Sequence, residues 1–158
     1  MHRMLLINTV MCLCAPFVPD HGQAAPSEAL SGPVSAHVER VIDGDTIEVR
    51  AHIWLNTDVM VRVRLSGIDT PEISRADCPA ERAKGLTAQA RLTSLVQDQS
   101  VFLHDVQYGK YAGRVVARVK TDQGIDVSKW LLATGYAVEY SGAQNNWCTD
   151  ILSENRTR

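Results

Sequence analysis

The chain has 158 residues, 45% of them hydrophobic and 22% charged, with a formal net charge of -2. That length suits one domain with a real core. The near-neutral balance excludes a protein that grips nucleic acid through a basic field over its whole surface.

Residues 1–24 read as a leader. MHRM supplies a short basic start, LLINTVMCLCAPFV an apolar run, and Gly22 and Ala24 are small residues placed for cleavage after Ala24. The run is too short to span a bilayer comfortably, so no membrane anchor is expected after cleavage. Cys12 and Cys14 raise a lipoprotein signal, but VMC and CLC lack the small residue expected before a modified cysteine. Pro26, Gly32 and Pro33 mark residues 25–34 as a linker, leaving 35–158 as the folded domain. The expectation is an exported protein, periplasmic or secreted. Two cysteines then remain, Cys78 and Cys148. An even pair in an exported chain points to a disulfide, with two free thiols as the alternative. No CxxC or paired histidine accompanies them to make a zinc site.

From Ser35 the pattern is short alternating runs. VSAHVERVI leads into VIDGDT at 41–46, where Asp43-Gly44 is tight-turn chemistry. TIEVRAHI then carries Ile47, Val49, Ala51 and Ile53 on one face. After Asn56-Thr57-Asp58, VMVRVRL carries Val59, Val61, Val63 and Leu65 on one face, with Arg62 and Arg64 opposite. Farther on, Ala88, Leu92, Leu95 and Val96 form the stripe of an amphipathic helix, with Gly85 allowing a close helix–barrel approach. SVFLHDVQ and GRVVARVKT read as a second hairpin across YGKYA. Asp126 can cap a short helix in VSKWLLAT, which Gly135 ends. Trp54, Trp130 and Trp147 are expected to pack. Three strands, a helix, two strands and a helix predict an α+β, mainly β fold: a five-stranded OB-type barrel with two or three packed helices.

A hairpin turn centred near Thr57 would set residue i opposite 114 minus i, bringing Asp45 to Asp69, with Glu72 nearby. Crowded carboxylates repel unless a hard cation joins them, and aspartate oxygens with a backbone carbonyl suit Ca²⁺ or Mg²⁺. Arg64 beside them adds the ingredients for holding a phosphate; a salt-bridged strand pair is the plain alternative.

VIDGDT at 41–46, RLSGIDTPE at 64–72 and GKYAGR at 109–114 resemble, in order and spacing, the signature blocks of the thermonuclease family, the staphylococcal-nuclease-like enzymes. The likeness runs from about Ala36 to Tyr140. It implies an OB-type barrel and hydrolysis of phosphodiester bonds in DNA or RNA, with Ca²⁺ as cofactor and Mg²⁺ or another divalent cation as substitutes. Carried over by position, Asp45, Asp69 and the Thr70 carbonyl resemble the metal ligands, with Asp43 behind them. Glu72 resembles the general base, and Arg64 and Arg114 the arginines on the scissile phosphate. Lys110 and Tyr111 resemble contacts to the neighbouring phosphate and base, and Tyr140 is a candidate for stacking on a base. A monomer is expected. The last block is one residue longer than the Lys-Tyr-Gly-Arg of the best-known member, and the C-terminal helix of the family looks shortened here. An OB module that binds single-stranded nucleic acid without cutting it is the reading from another class.

Overall fold

A computed structural model describes residues 29–111 and 113–148. The expected leader and the beginning of the expected linker lie outside them. Within that linker, Ala29–Leu30 (β1) pair with Gln107 and Val106 on a later strand.

Val34–Val41 (β2), Thr46–Trp54 (β3) and Thr57–Leu65 (β4) form an antiparallel meander. Ser100–Tyr108 (β6) and Arg114–Thr121 (β7) form a second hairpin. β7 runs parallel to β4, and β6 returns to β2, so five strands close into a mixed barrel of the OB type. Closure leaves no long open edge among the five. A separate two-stranded sheet pairs Ile68–Asp69 (β5) with Val138–Glu139 (β8).

Alternation puts Val38, Ile47, Val49, Val63, Leu65, Val101, Leu103, Ala117 and Val119 inside the barrel. Among the described residues two helices cap this core, one spanning Pro79–Val96 (α1) and the other Val127–Ala133 (α2). α1 contributes Ala88, Leu92 and Val96; Leu95 is only half-buried. α2 starts on Asp126, whose side chain accepts from the Lys129 N–H, and Gly135 follows it with φ +75°. Each fully buried Val, Leu or Ile contributes roughly 1.5–3 kcal/mol of transfer free energy.

Two expectations are corrected. The β3–β4 turn lies at Leu55–Asn56, not near Thr57, because Asn56 takes a left-handed φ of +55° that asparagine tolerates. The register therefore sets Thr46 opposite Arg64, and the Asp45 carbonyl accepts from the Leu65 N–H, so Asp45 is not opposite Asp69 in this hairpin. Trp54 is 73% exposed beside this turn and does not pack. Trp130 is half-buried against the core, and Trp147 is buried.

Candidate active site

VIDGDT forms a compact turn at the end of β2. Both the Ile42 and Asp43 N–H groups donate to the Thr46 carbonyl, and Asp43 Oδ1 accepts the Asp45 N–H at 3.0 Å. This Asx-type bond fixes the direction of Asp45. A Cβ on Gly44 would stand 2.7 Å from Thr70 Oγ1 and 2.8 Å from Ala88 Cβ, so only glycine lets the turn close against both. Gly85 does the same on α1: a Cβ there would meet the carbonyls of Pro71 and Glu72 at 2.6 and 2.8 Å. The close approach expected of Gly85 is thus made to the segment that carries Glu72.

Asp45 and Asp69 meet by a different route from the hairpin ladder. After β4 the chain reverses at Ser66–Gly67, and β5 brings Asp69 back. Arg64 joins the two acids: its Nη1 lies 2.6 Å from Asp45 Oδ1 and its Nη2 3.3 Å from Asp69 Oδ1. Asp45, Asp69 and Thr70 are all buried, at 2%, 4% and 4% exposure, in a shell that ordinarily excludes acids. Thr46 Oγ1 also donates to Asp45 Oδ1, at 2.9 Å.

One guanidinium does not offset this cluster. Burial, then the charge of Asp43, pushes the Asp45 carboxyl up to about 7, against the opposing pull of Arg64 and Thr46. Glu72 is raised too, first by burial and then by Asp43, with Arg64 and Arg75 opposing. Among the described residues, no donor reaches the Glu72 carboxylate. Its backbone is held instead. Glu81, buried at 2% exposure in the first turn of α1, accepts the N–H of Glu72 at 3.2 Å and of Asp77 at 2.7 Å. The sequence reading missed Glu81, although Cys-Pro-Ala-Glu places an acid three residues after a helix cap.

Arg114 opens β7 in register with Arg62, two positions along from Val116, the partner of Arg64. Arg64 and Arg114 thus sit on the same face of adjacent strands. Tyr111 lies under two cations, with the Arg114 guanidinium 5.0 Å and Lys110 Nζ 6.0 Å from its ring centre. Arg114 Nε is buried and, among the described residues, has no hydrogen-bond partner. Tyr140 follows β8, its N–H bonded to the Gly67 carbonyl, and is half-exposed next to the β5 turn; no contact joins it to Tyr111 or Lys110.

The segment after Tyr140 contributes what the sequence reading did not place. Asp69 Oδ2 accepts from Asn145 N and Asn145 Nδ2, both at 3.1 Å, and from Trp147 Nε1 at 3.3 Å. Cys148 follows, its Cα 6.1 Å from that of Cys78, a spacing within disulfide range. Cys78 is the N-cap of α1, its sulfur accepting the Glu81 N–H.

The profile of the family described as Staphylococcal nuclease homologue matches residues 62–155, more than half of the chain. The chain belongs to the staphylococcal nuclease homologue family. Two similar proteins, one from Escherichia coli and one from Escherichia coli O157:H7, each carry the name "Uncharacterized endonuclease". Each is 31% identical over 111 residues, which cover 70% of this chain and 64% of the relative. The chain therefore spans somewhat less than two thirds of those relatives. Every staphylococcal nuclease homologue position singled out above falls inside the matched segment except the 41–46 turn with Asp45.

Proposed function

We propose that this protein is an exported, divalent-cation-dependent nuclease that hydrolyses phosphodiester bonds in DNA, RNA or both. The observation that carries the reading is the convergence of buried Asp45 and Asp69 on Arg64, with the unpaired carboxylate of Glu72 held nearby. The relatives named as endonucleases support it.

The donor set fits a hard cation. Asp45 and Asp69 converge on one guanidinium, and burial, ahead of the charge of Asp43, raises the Asp45 carboxyl, so a cation there would offset the desolvated charge. Asp45, Asp69 and the Thr70 carbonyl would hold Ca²⁺, or Mg²⁺ in its place, through oxygen alone. When bound, the cation supplies Lewis-acid polarisation of a phosphoryl oxygen.

The rest is the chain's own chemistry. Glu72, half-buried and with no donor on its carboxylate among the described residues, takes a proton from water as the water oxygen attacks phosphorus. The bond from phosphorus to one ester oxygen breaks as the new bond forms, and that leaving oxygen ends protonated. Arg64 spends two N–H groups on the acids and keeps others for phosphate; Arg114 brings a second guanidinium from the adjacent strand. Both bind equatorial oxygens more strongly as charge gathers there. Tyr111, flanked by Lys110 and Arg114, offers an aromatic face for the adjoining nucleotide, and Tyr140 a second one. A Cys78–Cys148 disulfide stabilises the exported protein, which acts as a monomer without a membrane anchor. No helix among the described residues is long and apolar enough to cross a membrane.

The test is nuclease activity of the purified protein with Ca²⁺, with Mg²⁺ and with chelator. Activity is expected with a divalent cation and lost in chelator, and Glu72→Gln lowers kcat by about 10²–10⁴-fold. Full activity in chelator rejects the cation. Oligonucleotide binding without cleavage under every cation makes the protein a binding module.

A further inference from the structure

The two buried acids are treated differently by their surroundings. Asp45 Oδ1 takes Arg64 and Thr46, and among the described residues no donor reaches its other oxygen. Asp69 Oδ1 takes only Arg64, at 3.3 Å, while three N–H groups crowd onto Oδ2. A carboxylate oxygen has two lone pairs, so three donors exhaust Oδ2 as a ligand atom. The oxygen that remains available, Oδ1, is the one turned toward Arg64 and Asp45. Left alone, the terminal torsion of an aspartate is broad and roughly two-fold. Here it is clamped.

The clamp comes from a stretch without helix or strand. Residues 141–148 run as irregular chain, yet Trp147 is 8% exposed and its indole N–H points at Asp69. Trp130 supplies the contrast, since it packs against the core and donates nothing to an acid. A tryptophan kept only for bulk does not need its N–H on a carboxylate 78 residues away in sequence.

We infer that Asn145 and Trp147 are positioning residues for Asp69, saturating Oδ2 so that Oδ1 alone is presented to the cation. The inference rests on the reading of Asp69 as a cation ligand. Groups that orient a metal ligand from behind typically change metal affinity by about 10–100-fold when removed.

The experiment is calorimetric titration of the full chain with Ca²⁺, and with Mn²⁺ as a second probe, on the unaltered protein and on Trp147→Phe, Asn145→Ala, Asp69→Asn and Trp130→Phe. Trp147→Phe keeps an aromatic ring and removes the N–H; Asn145→Ala removes one donor and keeps the ring. Both are expected to weaken cation binding about tenfold or more with a melting temperature near that of Trp130→Phe, which binds normally. In the Asp69→Asn background, Trp147→Phe should add no further loss, because its effect passes through the missing carboxylate. At saturating cation, kcat of Trp147→Phe returns close to the unaltered value.

If Asp69→Asn weakens binding while Trp147→Phe and Asn145→Ala leave it unchanged, the positioning role is overturned and the cation site stands. If Asp69→Asn has no effect, or neither cation binds the unaltered protein, the cation reading falls and takes this inference with it. Should Trp147→Phe fail to fold, Asn145→Ala decides the matter by itself.

Discussion

At one end of the β3–β4 hairpin, Asp45, Thr46 and Arg64 lie under α1, β5 and residues 145–147. At the other, Ile53, Trp54 and Leu55 stand 52%, 73% and 80% exposed around a turn that none of the described residues covers. Beside that turn a mostly apolar cavity of about 330 Å³ is lined by Leu30, Ile53, Met60 and Tyr108 and reaches Arg114. The same ladder joins both ends, so the backbone pairing does not explain the contrast. Burying acids works against stability and exposing apolar side chains at a tip is nearly neutral. On the proposed function the covered end carries its charges for chemistry, and the exposed tip at Trp54 and Leu55 is free to vary.

Arg64→Ala is the severest way to break that comparison. It removes the partner of two buried carboxylates, so the metal-free protein should lose about 3–5 kcal/mol in denaturant titration, and nuclease activity should vanish with it. Cys148→Ser comes next: opening a closed loop of 70 residues costs about 4 kcal/mol in the chain-entropy model, read as a lowered denaturation midpoint that reductant reproduces in the unaltered protein. Asp45→Asn should go the other way. It removes the most strained charge, raising the metal-free melting temperature at neutral pH by a few degrees while abolishing cation binding.

The pH dependence has a definite sign. The Asp45 carboxyl is raised to about 7 in the folded chain from 3.8, so folding favours its protonated form. That contribution to stability is full below pH 3.8 and is lost as pH rises through about 7. Metal-free melting temperatures measured across this window should show a downward component that is absent from Asp45→Asn. The smallest effect belongs to the tip: Leu55→Asn and Trp54→Ser should shift stability by no more than about 0.5 kcal/mol, with catalysis unchanged. A large loss from either would show that the exposed end is not free to vary.

Much of the fold was legible because the barrel obeys a period of two and α1 a period near 3.6. Ile47, Val49, Val63 and Leu65 announced the interior, and Ala88 and Val96 the helix face that closes it. The register was misread because one left-handed Asn56 moves the turn, and strand alternation alone cannot locate it. The meeting of Asp45 with Asp69 was anticipated, but it comes through the Ser66–Gly67 reversal and Arg64. Of residues 141–148 only the packing of Trp147 and the approach of Cys148 to Cys78 were legible. The stretch follows no period, and Asn145 and Trp147 find their partner 76 and 78 residues back. Glu81 was hidden for a similar reason, since its donors are backbone N–H groups that leave no mark in a sequence.

That distance in sequence has a kinetic consequence. Contacts spanning so many residues close late, after the meander and the second hairpin have formed from nearer neighbours. Closing the barrel is just as non-local, since Val34 pairs with Leu103 and His37 with Ser100, so barrel closure and the seating of Asn145 and Trp147 on Asp69 belong to the same late stage. A chain halted before that stage has neither a closed barrel nor an oriented Asp69.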